Sequence, residues 1–452
     1  MKKLPIWKIL RAIAASIAAA AAILSVKPLS EKVVAAPDIA SQSSMPSSEG
    51  QLHLKPRASE KSRLEAAPSP TQAPSPTASP APDLIRQALV SVVGDLMVHS
   101  WQLDNARIQS TGAYNFENSF SMVRKYLIGS DLALGNLETT FAGPEIGYSD
   151  YPMFNTPDSF GNALAGAGFD FLTTANNHSN DKGEAGILRT IQVLDKLGLQ
   201  HTGTFASQAS RDEISIVEAN GIRLAIVSYT YGTNGLNLVP GHEYTVNLLD
   251  EELVFNDIQR AKALNPDFIV VMPHMGIEYE EWPSQACKDW AAFMFEAGAD
   301  IVLASHPHVL QPMEFVNVTD SGGKSRTCFV IYSLGNFISS QRTIPRDASI
   351  ILNLHMEKLN NDKAVLTKVS FIPIWVEFVN KSGVYDIKTL SVNDALKGLD
   401  GNIPGLRSGD IARLKAVHDS VTKMYLGQTV PLAEMKNEYF IYSPDSSEHA
   451  AS

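Results

Sequence analysis

The amino-acid sequence predicts a layered α/β fold in which short apolar strands alternate with amphipathic helices. The first observation behind this prediction is the alternation itself, which continues from residue 88 to residue 332 and is typical of α/β proteins. The second is that nearly every apolar run ends at a polar side chain of metal-ligand type. Because ligands of α/β proteins gather at the carboxyl ends of the strands, the same pattern predicts where the functional site lies.

The individual elements follow from the apolar runs and from the residues that end helices. The predicted strands cover residues 88–93, 132–134, 169–173, 223–228, 268–272, 301–303 and 329–332. The predicted helices cover residues 117–127, 158–167, 186–197, 250–264, 283–297 and 411–426. Glycine at positions 168, 198 and 298 marks three helix ends, since glycine readily adopts the left-handed conformation that closes a helix.

The composition is that of a folded, acidic protein. Its 452 residues are 44% hydrophobic and 19% charged, and the formal net charge is −11. This charge argues against a nucleic-acid-binding protein, which needs a basic surface to neutralise phosphates. Residues 1–83 carry a net charge of +4, and the remaining residues carry −15. The two cysteines, Cys287 and Cys328, exclude a four-cysteine zinc site and leave open a disulfide bond or two buried thiols.

Residues 1–36 are a predicted signal peptide or membrane anchor. Four basic residues within the first eleven precede an uncharged, largely apolar run over residues 12–26, as in secretory signals. An uncleaved anchor is the preferred interpretation, with a cleaved signal and a soluble alanine-rich helix as alternatives. The positive-inside rule then predicts a single-pass membrane protein with an extracytoplasmic domain, or a secreted protein if the signal is cleaved. Residues 37–83 are a predicted disordered linker rich in Pro, Ser and Ala.

Five apolar strands deliver polar side chains to one edge of the predicted sheet. These residues are Asp95, Asn136, Glu138, Asn177, His178, His274, His306 and His308. A mixture of carboxylate, amide and imidazole groups suits Mn²⁺, Zn²⁺ or Fe²⁺ better than Mg²⁺ or Ca²⁺. His306 and His308 flank a proline in a stretch expected to be extended, where residues two apart share a face. We therefore predict a centre of two divalent ions, with Glu138 as the bridging carboxylate.

The order of these motifs resembles the calcineurin-like metallophosphoesterase signature, and more closely the CapA family of capsule or poly-γ-glutamate synthesis proteins. The motifs that carry the resemblance are Gly94-Asp95-Leu96-Met97, Gly135-Asn136-Leu137-Glu138, Asn176-Asn177-His178 with Asp181 and Gly183, His274-Met275-Gly276 with Glu278-Tyr279, His306-Pro307-His308-Val309-Leu310-Gln311 and Tyr332-Ser333-Leu334-Gly335-Asn336-Phe337. The resemblance implies a layered α/β/β/α sandwich of the metallo-dependent phosphoesterase type. We assign residues 84–380 to this domain and residues 381–452 to a C-terminal accessory tail.

The resemblance also implies roles for individual residues. The metal ligands would be Asp95, Glu138, Asn177, His274, His306 and His308. His178 would protonate a leaving oxygen, and Asp181 would orient the His178 imidazole. Asn136, Glu278 and Asn336 would contact the substrate or support the ligands, with local loop hydrogen bonding as the alternative for the last two.

Two positions depart from the metallophosphoesterase signature. Met97 occupies the place of a histidine, and a thioether is a poor ligand for hard ions. His99 is therefore the predicted replacement ligand. The bridging acid is Glu138 rather than an aspartate, and Gly135-Asn136 stands where the signature has Gly-Asp. These departures concern the first metal position and not the fold.

Two functions fit these observations. The first is an anchored metal-dependent hydrolase that acts on a phosphoester or on an amide of an anionic cell-surface polymer during capsule synthesis or export. The second is a non-catalytic subunit that binds the polymer or membrane synthase subunits. The −15 charge of residues 84–452 opposes simple electrostatic capture of a polyanion. Five aromatic residues near the motifs either line a substrate groove or are simply packed: Trp101, Tyr148, Tyr151, Tyr279 and Trp282.

Overall fold

Two β-sheets packed face to face form the centre of the computed structural model, which describes residues 84–319, 323, 325–381, 383–398 and 406–444. The predicted anchor and linker, residues 1–83, lie outside the described residues. The strands are β1 (Ile85–Leu96), β2 (Leu132–Leu137), β3 (Phe171–Thr173), β4 (Gln200–Thr202), β5 (Ser215–Ala219), β6 (Ile222–Thr230), β7 (Phe268–His274), β8 (Ile301–Leu303), β9 (Met313–Thr319), β10 (Ser325–Ile331), β11 (Asn336–Ile338), β12 (Ala348–Leu359), β13 (Val365–Lys381), β14 (Val384–Ser391) and β15 (Tyr439–Tyr442).

The helices lie mainly in the connections between strands. They are α1 (Ser100–Ala106), α2 (Arg124–Ile128), α3 (Asp158–Ala167), α4 (Gly183–Leu197), α5 (Gln208–Asp212), α6 (Glu251–Ala263), α7 (Gln285–Ala297), α8 (Val392–Lys397) and α9 (Ser408–Leu426). Within the described ranges, none of these helices combines the length and the apolar character needed to cross a membrane.

Within the described residues, the first sheet has nine strands and the second has six. The first sheet has the order β14-β13-β12-β1-β2-β3-β4, with β11 paired to β1 and β15 paired to β13. The second sheet has the order β5-β6-β7-β8-β10-β9. Strands β1 to β4 run parallel in the first sheet, and β6, β7, β8 and β10 run parallel in the second. Each sheet therefore brings several carboxyl ends to one edge.

Buried apolar side chains fill three spaces and hold the layers in order. Val92 of β1 and Ile226 of β6 belong to the core between the two sheets. Leu164 of α3 packs on the opposite face of the first sheet. Ile258 of α6 and Met294 of α7 cover the outer face of the second sheet. The predicted α/β/β/α sandwich is therefore confirmed.

Helix boundaries follow residues that satisfy the free backbone groups of a helix end. Helices α3 and α4 end at Gly168 and Gly198, which have left-handed φ angles of 100° and 70°. At the start of α6 and α7, the side chains of Asp250 and Ser284 accept hydrogen bonds from backbone N–H groups of the first turn. These four boundaries lie within two residues of the predicted ones.

The predicted helix over residues 117–127 is divided into a short 3₁₀ turn, Glu117–Phe120, and helix α2. The Ser121 hydroxyl donates a hydrogen bond of 2.9 Å to the carbonyl oxygen of Asn118. The Asn118 side chain donates to a carboxylate oxygen of Asp386 at 2.6 Å. Such side-chain bonds compete with the regular helical ladder, which explains the interruption.

The described part of residues 381–452 completes the first sheet. Strand β14 pairs antiparallel with β13, and β15 pairs with the first half of β13. Helix α9 buries Leu414, Val417 and Val421 against the core between the sheets. This segment is therefore continuous with the main domain wherever the structure describes it.

Cys287 and Cys328 are free and buried, which corresponds to the second of the two alternatives for the cysteines. Burial raises the pKa of the Cys328 thiol to about 12. The Arg326 guanidinium donates a hydrogen bond of 2.7 Å to this sulfur. Both thiols thus behave as packed side chains of the second sheet and of α7.

Candidate metal centre

The predicted ligands meet at the edge where the two sheets face each other. Asp95 of β1 and Asn136 of β2 are register partners in the first sheet, and Glu138 follows β2 directly. His274 is the last residue of β7 in the second sheet. A close contact keeps β1 and the segment before β11 together, because a Cβ atom on Gly94 would lie 1.9 Å from the carbonyl oxygen of Gly335. Asp95 is thereby held beside Asn336, its register partner on β11.

Asp95, Glu138 and His274 form the first group of candidate ligands. Each has a donor atom within 4.8 Å of the other two, and all three residues are buried. Nε2 of His274 lies 3.5 Å from Oε1 of Glu138 and 2.8 Å from Oδ1 of Asn177. The structure thus brings four predicted ligands together.

Glu278, His306 and His308 form the second group, again with donor atoms within 4.8 Å of one another. This group adjoins the first, because Nδ1 of His306 lies 3.2 Å from Nε2 of His274. Nδ1 of His308 lies 3.1 Å from Oδ2 of Asp95. The two groups lie side by side, as a centre of two ions requires.

Glu138 lies between the groups and has the environment expected of a cation ligand. Both of its carboxylate oxygens are buried and have no hydrogen-bond partner among the described residues. Oε1 faces the second group as well, at 3.8 Å from Nε2 of His308. Burial and the neighbouring Asp95 raise the pKa of Glu138 well above its usual range. A bound divalent ion would supply the missing counter-charge, so the residues present fit a metal site.

The histidines differ in pKa because the nearby carboxylates outweigh burial only at His308. Burial lowers the pKa of His274 to about 3 and that of His306 to about 2, and neutral imidazole is the form that binds metals. Burial also opposes protonation of His308, but the Glu138 and Asp95 carboxylates outweigh it and raise the pKa to about 9. Burial raises the pKa of Asp95, yet the hydrogen bond and charge of His308 outweigh burial and lower it to about 2.

The backbone around Pro307 does not have the extended conformation that the sequence predicted. His306 and His308 have φ angles of 108° and 58°, which are rare for residues with a Cβ atom and cost about 1–3 kcal/mol each. Gly276, with φ of 132°, lies so close that a Cβ atom would be 2.9 Å from Cγ of Pro307. The histidines therefore reach the site through a tight turn, and not through strand alternation.

His178 and Asp181, the predicted acid and its partner, form a buried pair. Nδ1 of His178 lies 2.8 Å from Oδ2 of Asp181. The same oxygen accepts a hydrogen bond of 2.7 Å from the backbone N–H of Phe154, and the Phe154 ring packs edge-on against the His178 ring at 4.6 Å. These contacts fix the imidazole and leave Nε2 as its second nitrogen.

His99 lies outside both groups of candidate ligands. Its Nδ1 accepts a hydrogen bond of 3.2 Å from the backbone N–H of Ser340, and burial lowers its pKa to about 4. Met97 is buried. His99 lines the same cavity as His178 and His308, and its role as a ligand stays a prediction.

The residues predicted to contact substrate are placed in two different ways. Asn136 donates to Oδ1 of Asp95 at 2.8 Å, and Oδ1 of Asn336 lies 3.1 Å from Nδ1 of His308. Both asparagines thus support candidate ligands. Glu278 is exposed and belongs to the second group itself. Its separation from His306 in the sequence concealed this.

A cavity of about 240 Å³ adjoins the candidate ligands. His99, His178, Glu278 and His308 line it together with Tyr151 and Tyr279, two of the five aromatic residues singled out in the sequence. Of the other aromatic residues, Trp101 packs on Tyr385 at 4.8 Å and Tyr148 on Tyr114 at 5.2 Å, measured between ring centroids. Trp282 is 72% exposed.

The sequence did not predict three residues that contribute to the site. The Ser305 hydroxyl lies 3.0 Å from Nδ1 of His274 and orients that ring. The Tyr231 ring covers His306 at a centroid distance of 4.6 Å. Arg346 lines the cavity. Only Ser305, directly before the His306-Pro307-His308 motif, had a position in the sequence that could have drawn attention to it.

The two sheets with their outer helices and the clustered Asp, Glu, Asn and His side chains define an α/β/β/α sandwich protein with a candidate metal site. The sequence model of the family described as "Bacterial capsule synthesis protein PGA_cap" matches residues 89–341. The chain belongs to this family, and the predicted relationship to CapA proteins is confirmed.

Two relatives illustrate the family. The PGA biosynthesis protein CapA of Bacillus subtilis (strain 168) is 27% identical over 329 residues, which are 69% of this chain and 80% of the relative. The capsule biosynthesis protein CapA of Bacillus anthracis is 28% identical over 291 residues, which are 62% of this chain and 66% of the relative.

Two solved structures are similar at lower identity. The Haemophilus influenzae NAD nucleotidase has a TM-score of 0.40 and 14% identity, and the match covers 75% of this chain and 61% of that chain. The calcineurin-like phosphoesterase YfkN of Bacillus subtilis has a TM-score of 0.35 and 13% identity, with 76% of this chain and 99% of that chain covered.

Proposed function

We propose that this protein acts in the synthesis or export of a poly-γ-glutamate capsule, as a metal-dependent hydrolase displayed outside the membrane. The family and the named relatives support the capsule role. The single observation that carries the hydrolase proposal is the buried Glu138 carboxylate, whose oxygens lack partners among the described residues. Nitrogen and oxygen donors of both ligand groups surround it.

In this proposal the two groups hold two divalent ions, Mn²⁺, Zn²⁺ or Fe²⁺. Asp95, His274 and Asn177 would hold the first ion, and Glu278, His306 and His308 would hold the second. Glu138 would serve both. When bound, two such ions supply hydroxide near neutral pH and neutralise charge that develops on a phosphoryl or acyl oxygen.

The remaining polar groups have roles that follow from their own contacts. His178 would deliver a proton through Nε2 to the leaving oxygen or nitrogen, because Nδ1 is held by Asp181 at 2.8 Å. The carboxylate keeps the ring in one orientation. Asn336 keeps the His308 ring in place through the 3.1 Å contact to Nδ1.

The hydrolase proposal is tested with the purified full-length chain loaded with Mn²⁺ or Zn²⁺. Bound metal is measured by mass spectrometry, and hydrolysis is measured on bis(p-nitrophenyl) phosphate and on poly-γ-glutamate. We expect His306→Ala to lose metal and activity. His201→Ala is the matched control, because His201 pairs with Asp195 away from the site. Equal hydrolysis rates in wild type and His306→Ala would contradict the proposal.

A second candidate function is a non-catalytic subunit that binds the polymer or assembles with the membrane synthase. The observation that favours it is the position of His99, whose Nδ1 accepts a hydrogen bond from Ser340 instead of joining the ligand groups. Restoration of capsule in a deletion strain by the His306→Ala variant would support this function. Failure of that variant to restore capsule would support the hydrolase.

We also propose that residues 1–36 anchor the chain and residues 37–83 space the domain from the membrane. The basic start and the apolar run that follows it support this proposal. The test is membrane fractionation with protease added to intact cells, followed by determination of the N-terminal residue. Digestion only after cell lysis would contradict an extracytoplasmic domain.

A further inference from the structure

Arg346 presents an unused cationic group to the cavity beside the candidate ligands. It lies in the segment between β11 and β12 and lines the same cavity as His178 and His308. Its guanidinium carbon is 3.2 Å from the centroid of the Tyr279 ring. Arginine and an aromatic ring at this distance form a favourable cation–π contact, which fixes the plane of the guanidinium.

Other partly buried arginines use their N–H groups to bind carboxylates, and Arg346 differs from them in this respect. Arg413 binds Asp347 at 2.5 Å, and Arg326 binds Asp300 at 3.1 Å. Among the described residues, no carboxylate and no hydrogen-bond acceptor engages the Arg346 guanidinium. The guanidinium lies over the Tyr279 ring, and this contact leaves its five N–H donors available for an anion.

The backbone that carries Arg346 is tied to the metal centre. The side chain of Asn336 donates to the carbonyl oxygen of Arg346 at 3.0 Å. The other side-chain atom of Asn336, Oδ1, lies 3.1 Å from Nδ1 of His308. One asparagine therefore positions both a candidate ligand and the segment with the cation, so the cation is preorganised relative to the centre.

We propose that Arg346, held over the Tyr279 ring, is the residue that binds an oxyanion of the substrate. The group bound is a phosphoryl or a carboxylate group, because the guanidinium edge matches both through two parallel hydrogen bonds. The proposal rests on the proposed function in so far as the anion belongs to the substrate of that site. Arg346 would give an acidic domain a local positive charge that attracts an anion.

The test is calorimetric titration of the full-length, Mn²⁺-loaded chain with two probes, inorganic phosphate and glutarate. Arg346→Met should weaken binding of the preferred probe about ten- to hundredfold, since hydrogen bonds to charged groups have this effect. Arg346→Lys should recover part of the loss, because it keeps the charge without the fork. Preference for phosphate indicates a phosphoester substrate, and preference for glutarate indicates a polymer carboxylate.

Arg342→Met is the matched control in the same segment. The Arg342 guanidinium packs over Trp101, Tyr385 and Phe378 at 5.7, 5.5 and 5.3 Å from their ring centroids, and it does not line the cavity. This variant should bind both probes as wild type does, and all variants should keep the wild-type metal content.

Three results would overturn the inference: unchanged binding in Arg346→Met, an equal loss in Arg342→Met, or no binding of either probe by wild type. Hydrolysis tests the proposed function separately from the anion-binding role of Arg346. If Arg346→Met loses anion binding while wild type hydrolyses nothing, the oxyanion site stands and the hydrolase proposal fails. If wild type hydrolyses its substrate and Arg346→Met does so with unchanged kcat and KM, the hydrolase stands and the role of Arg346 fails.

Discussion

Gly94 touches Gly335 at a point where Gly94 has no space for a side chain. A Cβ atom on Gly94 would lie 1.9 Å from the Gly335 carbonyl oxygen, and that oxygen accepts the backbone N–H of Asp95 at 3.0 Å. The contact sets the distance between β1 and β11, and hence between Asp95 and Asn336. A functional site thus depends on a backbone contact that involves no functional side chain.

Gly94→Ala should therefore damage both stability and metal binding. We expect a loss of at least about 2 kcal/mol in the free energy of unfolding, because the added methyl group must displace backbone. Metal content, measured by mass spectrometry, should fall with it. Gly166→Ala is the control, since a Cβ atom there meets nothing within 4 Å and alanine favours the helix α3. A fully stable Gly94→Ala protein would contradict the geometry.

Glu138→Gln should have opposite effects with and without metal. In the metal-free protein the substitution removes an acid whose ionised form is disfavoured by burial and by Asp95, so we expect stabilisation by about 1–3 kcal/mol. In the presence of Mn²⁺ the variant should gain less thermal stability than wild type, because an ion ligand is lost. Thermal unfolding with and without EDTA measures both effects. Glu377→Gln, whose carboxylate pairs with Lys388 at 3.0 Å, should show the same shift in both conditions.

Asp181→Asn should lower the hydrolysis rate without loss of metal. The carboxylate contacts Nδ1 of His178 and the backbone N–H of Phe154, and it belongs to neither ligand group. We expect kcat to fall about 10- to 100-fold, as for removal of other orienting carboxylates. Steady-state kinetics and metal analysis on the same sample provide the measurement. Loss of metal in this variant would show that Asp181 supports the ligands instead.

His99→Ala should keep the metal content of the wild type, in contrast to His306→Ala. The reason is the 3.2 Å hydrogen bond that Nδ1 of His99 accepts from the Ser340 N–H, outside both ligand groups. Metal analysis after dialysis against trace chelator separates the two variants. Equal metal loss in both would restore His99 as a ligand.

The alternation of strands and helices predicted a layered α/β fold, the polar strand ends predicted where candidate ligands gather, and the family resemblance added the sandwich. The ligand roles themselves stay predictions. Asp95, Glu138 and His274 are at or just after the ends of apolar strands, and parallel strands bring such residues to one edge. The place of Glu278 among the ligands was not predictable, since it depends on a tight turn at Gly276. Arg346 was not predictable either, because its position depends on contacts with Tyr279 and Asn336 that are distant in the sequence.

The order of the strands has a consequence for the assembly of the domain during synthesis. The second sheet is built from one continuous stretch, β5 to β10, whereas the first sheet needs both β1 and β15. The strands of the second sheet can therefore pair before β15, the last strand of the first sheet, has been synthesised. Asp95 and Glu138 come from the first sheet, whereas His274 and His308 come from the second sheet. In the proposed function, ion binding would consequently be a late event in folding, because it needs residues from both sheets, and its rate would report when the two sheets dock.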